Sequence, residues 1–172
     1  MAMETMITSH ENGIKKLQEL TKDIRFCMLT TVDESGVLHS RPMTIQHTEP
    51  NGDLWFFTGK NTGMAIGVRH NDCVSAAFAN DCGDIFVSVY GRARLLVDHQ
   101  IMEKLWEPIY QTWFPQGLED PNLSLLKLEV ELAEHWDSAK GVLSTLFCQS
   151  RMEPASGAFL ATDEQGDTAM KA

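Results

Sequence analysis

With 172 residues, 43% of them hydrophobic and 22% charged, the chain is sized for one packed domain and too apolar for wholesale disorder. Its formal net charge of −10, from 24 acidic and 14 basic residues, argues against a nucleic-acid partner, which calls for clustered Lys and Arg. One small anion remains compatible with that charge, because a few cations and a helix N-terminus suffice to hold a phosphate.

Thr8 to Lys22 reads as a helix, with Thr8 and Glu11 as a capping box and Ile14, Leu17 and Leu20 near one face. Phe26 to Val32 is apolar and β-prone, and Asp33-Glu34-Ser35-Gly36 is a turn. Val37 to His47 reads as a second strand. Pro42 inside it marks an edge or bulge, since proline cannot donate to a ladder. After the turn Glu49 to Asp53 comes an aromatic strand, Leu54 to Thr58, and then the breaker Gly59-Lys60-Asn61-Thr62-Gly63. Met64 to His70 is a short helix that Thr62 can cap.

Cys73 to Ala79 and Ile85 to Val97 are further strands, the second carrying Arg92 and Arg94 on one face. Asp98 caps a helix expected from His99 to Thr112, and Trp113 to Pro121 is a loop. Leu125 to Leu132 alternates like a strand with one dry face, and Val142 to Cys148 adds a last one. The domain is expected over residues 1–153, with a mobile, polar tail over 154–172. Six or seven strands joined mostly by tight turns favour antiparallel pairing. The expected class is mainly β with peripheral helices, a closed or split β-barrel.

The sequence contains no nucleophile elbow, phosphate-binding P-loop, dinucleotide-binding glycine pattern or His-Glu-x-x-His motif, so no catalytic residue is assigned. Cys27, Cys73, Cys82 and Cys148 lie far apart without metal-ligand spacing, which suits buried thiols in a reducing compartment and assigns no metal site. His39, His47 and His70 are separated in sequence, and spacing alone does not bring them together. One stretch has chemistry in it. The aromatic strand at Leu54 runs into a turn and helix N-terminus where Thr58, Lys60 and Thr62 are donors, and Arg41 stands on the preceding strand. That pattern fits a phosphorylated planar cofactor as well as an ordinary hairpin with a capped helix.

Ser40-Arg41-Pro42-Met43, Leu54-Trp55-Phe56-Phe57-Thr58, Trp113-Phe114-Pro115 with Asp120-Pro121, and Glu134-His135-Trp136-Asp137 together resemble the general stress protein 26 family. These are FMN-binding split barrels related to pyridoxamine 5'-phosphate oxidase, and the similarity spans about Ile14 to Val142. The resemblance implies a cytoplasmic homodimer with FMN between its subunits. It implies that Arg41 meets the flavin or its phosphate arm and that Pro42, Met43 and Thr44 follow the ring edge. Phe57 and Thr58 would supply further contacts and Thr62 would begin the phosphate turn. Trp113 and Trp136 would wall the ring, with a contribution from the partner subunit.

Two departures qualify what the resemblance implies. Met64 stands where many relatives place a phosphate-pairing lysine, with Lys60 the nearest substitute. The oxidase's Arg-x-His signature is absent as well, which argues against pyridoxamine phosphate oxidation. Expected functions are therefore an FMN carrier, sensor or scavenger in stress, or alternatively an FMN-dependent oxidoreductase on a small molecule. Further alternatives are a deazaflavin-binding protein and a cofactor-free dimeric interaction protein. No membrane span is expected, because no apolar run approaches ~18 residues. The first sixteen residues hold no hydrophobic block, so no signal peptide is expected either.

Overall fold

A computed structural model describes residues 2–80, 85–137, 142–148 and 168–169. The elements in chain order are α1 (Ala2–Thr21), β1 (Phe26–Val32), β2 (Leu38–Thr44), β3 (His47–Thr48), β4 (Leu54–Gly59) and α2 (Gly63–His70). They continue with β5 (Cys73–Asn80), β6 (Ile85–Leu96), α3 (His99–Leu105), 3₁₀ turns at Pro108–Thr112 and Gly117–Glu119, β7 (Leu123–Asp137), β8 (Val142–Cys148) and β9 (Thr168–Ala169). Apart from β9, the tail expected over 154–172 lies outside the described residues.

The strands form one curled antiparallel sheet in the order β2-β1-β5-β6-β7-β4-β3. This mainly β half-barrel agrees with the expected class. Tight turns explain much of the order. Gly36 (φ 83°) closes the β1–β2 hairpin and Gly52 (φ 91°) the β3–β4 hairpin, both in the left-handed region that glycine adopts without penalty. The 15-residue β7 ties the two halves together. One of its edges pairs with β6 over Leu125–Asp137, while the other pairs with β4 over Leu123–Leu128 and with β8 from Leu132 onward. A bulge at Tyr90/Gly91 re-aims this long ribbon. A Cβ on Gly91 would overlap the Glu129 carbonyl, so only glycine lets the strands approach there.

The barrel interior holds Leu29, Phe56, Val74, Val89, Leu126, Leu128 and Val130, capped by Ile14 and Leu17 of α1 and by Met64 and Val68 of α2. A second cluster lies on the other side of β4 and β7, where Trp55, Phe57 and Leu125 meet Met102, Tyr110 and Phe114. Every residue of β4 is therefore buried, which accounts for its unbroken apolar run.

Several boundaries differ from the sequence expectation. The strand expected over Val37–His47 ends at Thr44, and His47 belongs to the separate β3. α1 starts at Ala2, so Thr8 lies inside it and not at a cap. The helix expected over His99–Thr112 stops at Leu105, because Pro108 cannot continue it, and resumes only as a 3₁₀ turn. The strand expected over Leu125–Leu132 runs on to Asp137 because β6 and β8 flank it on both sides.

Candidate functional site

Because β2 ends the sheet on one side and β3 is only two residues long, the barrel has a split between β2 and β4. A cavity of about 680 Å³ occupies it. Main-chain bonds from Ile45 N–H to the Arg25 carbonyl (3.1 Å) and from Asp33 N–H to the Val37 carbonyl (3.0 Å) fix the phase of the β1–β2 ladder. Odd-numbered residues of β2 therefore bond to β1, and Ser40, Pro42 and Thr44 turn their main-chain groups to the outer edge. Pro42 sits where no ladder donor is required, the edge position that its ring predicts. Gln46 Nε2 donates to the Thr44 carbonyl at 3.1 Å, leaving the Pro42 carbonyl and the Thr44 N–H at the edge.

Across the split, the Gln46 N–H donates to the Trp55 carbonyl at 2.8 Å, so Trp55 faces β3. Alternation turns the main chain of Phe57 the same way, beyond the end of β3. Two strand edges thus offer donors and acceptors to one cavity. Its walls are Phe26, Met43, Phe57, Met64, Tyr110 and Trp113, a mostly apolar set. Phe57 is held by Trp106 and Tyr110, with ring centroids at 5.6 and 5.4 Å. Burial raises the Tyr110 hydroxyl pKa above its ordinary value, helped by the Glu107 carboxylate and opposed by a hydrogen bond with Gln46.

The polar end of the cavity is built by the turn after β4. Thr62 Oγ1 accepts from Ala65 N–H at 3.2 Å and donates to the Gly59 carbonyl at 3.0 Å, capping α2 as expected. The Ile66 N–H is bonded to the Thr62 carbonyl, so the Gly63 and Met64 amides remain at the helix start without an intrahelical partner. Asn122 pins this turn, its carbonyl accepting from Lys60 N–H at 2.7 Å and its side chain from Asn61 N–H at 3.2 Å. Both terminal nitrogens of Arg41 lie 3.9 Å from where a Cβ on Gly63 would stand. A guanidinium against a helix N-terminus is a favourable anion-holding pair.

Of the residues selected from sequence, Arg41, Pro42, Met43, Thr44, Phe57, Thr58, Thr62, Met64 and Trp113 all line this cavity. Lys60 does not: its ammonium donates to the Pro121 carbonyl at 2.8 Å. Trp136 does not line it either. It lies on the other half of β7, opposite Phe86 and Leu143. Sequence reasoning missed Arg25, Phe26, Gln46, Ile109, Tyr110 and Asn122 in the lining. Pro108 carried the signal for Tyr110, because it separates the 3₁₀ turn from the preceding helix. For Arg25 and Asn122 no local signal existed. His39 bonds Asp33, His47 pairs opposite Trp55 and His70 ends α2. Among the described residues no group of three or more His, Cys, Asp or Glu gathers to hold a metal, and no helix is long and apolar enough to cross a membrane.

Comparison with known proteins places these features in a family context. The family model described as Pyridoxamine 5'-phosphate oxidase like matches residues 12–154. General stress protein 26 of Bacillus subtilis is 34% identical over 106 residues, which is 60% of this chain and 73% of that protein. The general stress FMN/FAD binding protein from Xanthomonas citri is 30% identical with a TM-score of 0.61, over 87% of this chain and 98% of that one. A Clostridium acetobutylicum protein related to general stress protein 26 has a TM-score of 0.68 at 22% identity, over 80% of this chain and 95% of that one. At that identity the last likeness bears on fold alone.

Proposed function

The chain belongs to the pyridoxamine 5'-phosphate oxidase-like family, alongside general stress protein 26, and from that membership we propose that it is a flavin-binding stress protein whose flavin is FMN. One observation carries the reading. A single cavity joins two unpaired strand edges, an apolar wall, and a guanidinium set against a capped helix N-terminus. The donor set suits the group: the Thr44 N–H, the Pro42 carbonyl and the main chain of Phe57 match a hydrogen-bonding ring edge. Arg41 with the Gly63 and Met64 amides matches a phosphate. Bound there, the flavin would supply electron or hydride transfer. The chain's own part is to bind, orient and shield it.

The cellular setting follows the same reading. We place the protein in the cytoplasm as a homodimer, with the flavin site at the subunit interface. Phe26, Met28, Phe86 and Trp136 are all exposed, and the ladder registers put them on one outer face of the sheet with Ala77 and Ala79. A second copy would cover that face. Phe26 belongs to both the face and the cavity, so the partner would stand at the cavity's mouth.

The test is direct. Titration of the purified protein with FMN should shift the visible flavin bands and quench flavin fluorescence; unchanged spectra would overturn the reading. A second reading, an FMN-dependent oxidoreductase, is favoured by the mouth itself, where Ile109 and Trp113 are 51% and 65% exposed and leave room for another molecule. Anaerobic addition of NADH or NADPH to FMN-loaded protein should then bleach the flavin, and persistent colour with both donors would count against it.

A further inference from the structure

We propose that His39, oriented by Asp33, is the second phosphate-binding residue of the flavin site, and that the cavity beyond Arg41 is the phosphate end of that site. The proposal rests on the flavin reading above and deepens it. It starts from a shortage. A chain of net charge −10 has few cations to bring to a phosphate, and two positions at the turn before α2 supply none. Lys60 is held by the Pro121 carbonyl, and position 64 is a buried methionine.

Arg41 lines two cavities. The second, of about 460 Å³, is bounded by the Asp33–Ser35 turn, His39, and the α2 residues Gly63, Ile66 and Gly67. An anion held by Arg41 and the start of α2 therefore stands at the partition between the two spaces. His39 and Arg41 are two residues apart on β2, so they project from the same face of the sheet, ~7 Å apart along the strand.

The Asp33 carboxylate fixes the imidazole. Its Oδ2 lies 2.9 Å from His39 Nε2. Its Oδ1 accepts from the Ser35 hydroxyl at 2.7 Å, the Ser35 N–H at 2.8 Å and the Val37 N–H at 3.0 Å. The Ser35 hydroxyl first, and then His39 and the turn's N–H groups, hold this carboxyl well below the usual carboxylate range. An ionised Asp33 takes a hydrogen from Nε2. Nδ1 then carries a lone pair when the ring is neutral and an N–H only when the ring is protonated. A phosphate oxygen accepts a hydrogen bond only from the second state. The charged side chains that share this cavity with the imidazole are Asp33 and Glu34 from the turn and Arg41 from its own strand, while α2 brings no titratable side chain to it.

FMN and riboflavin share a ring and differ in the phosphate, so the pair isolates the effect. Fluorescence-quenching titrations at pH 6 would compare wild type, His39→Gln, His39→Lys and Arg41→Met. At pH 6, His39→Gln should weaken FMN about tenfold and leave riboflavin within twofold. His39→Lys, which keeps a cation at this position, should restore FMN affinity. His39 is half exposed, so the variants should melt like wild type. FMN affinity within twofold of wild type in His39→Gln, alongside a large loss in Arg41→Met, overturns the proposal and leaves the flavin reading standing. Failure of wild type to bind either flavin overturns both.

Discussion

The ammonium of Lys60 donates to the main-chain carbonyl of Pro121 at 2.8 Å, across 61 residues of sequence. The lysine of the turn thus fastens that turn to the loop before β7 and does not enter the cavity. Arg41 is left as the guanidinium beside the start of α2. Lys60→Ala should change FMN affinity less than twofold. Arg41→Met should weaken it about 10- to 100-fold, the worth of a charge-assisted hydrogen bond of ~1.5–3 kcal/mol. Paired FMN titrations check both.

Met64 is 2% exposed and lines the cavity while packing into the barrel interior. Met64→Lys should therefore divide cleanly between two melts. Without flavin, the desolvated ammonium should lower the melting temperature by several degrees. With saturating FMN the deficit should narrow, because the phosphate gives the charge a partner. Thermal melts with and without FMN report the difference.

Lys127 sits in a half-buried charge network. Its Nζ lies 3.0 Å from Asp53 Oδ2 and 3.3 Å from Glu49 Oε2, over the Trp55 ring at 5.4 Å. Asp53 also accepts from the Val130 N–H, and Glu49 from the Trp55 indole. Lys127→Met should cost about 3 kcal/mol in denaturant unfolding, because two carboxylates lose their cation. Burial pulls the Lys127 pKa down, but the bonds to Asp53 and Glu49 more than offset it, and the net shift is upward. A raised folded pKa means that the stabilisation is fully present below the unfolded value, about 10.5, and is lost as pH rises through the folded one. Wild type should show an alkaline loss of stability that Lys127→Met lacks.

Gly91→Ala places a methyl group on the Glu129 carbonyl at the β6–β7 bulge. Backbone on both sides leaves nothing flexible to yield, so a loss of about 2–3 kcal/mol is expected by chemical denaturation. An unchanged midpoint would mean that the two strands separate there at little cost.

Trp136 lies away from its own chain's cavity, on the apolar outer face with Phe86. In the proposed homodimer a second copy covers this face, and Trp136→Arg should then halve the mass seen in sedimentation. If the partner closes the cavity's mouth, FMN affinity should fall with it. A monomeric variant that binds FMN like wild type would locate the whole site within one chain.

Much of the fold is legible because its signals are local. Gly36 and Gly52 mark the hairpins, Thr62 and Asp98 cap their helices, and the unbroken apolar run of β4 announces burial on both faces. The candidate site was legible wherever its residues share a short segment, as in Arg41–Thr44 and Phe57–Thr62. Expectation failed where the deciding partner is far away in sequence. Lys60 looked like a phosphate ligand until Pro121 took its ammonium, and the end of β7 was hidden until β6 and β8 flanked it.

The sequence by itself determined that this is a β-rich, acidic domain with one aromatic strand leading into a capped helix, because periodicity, glycine placement and caps act over a few residues. Only the tertiary structure decided which cations are left for an anion. Closing a sheet brings Arg25, Arg41, Tyr110 and Asn122 to one cavity, and a hydrogen-bonded Asp33 turns His39 towards the next one. Those encounters depend on strand order and register, which no single segment encodes.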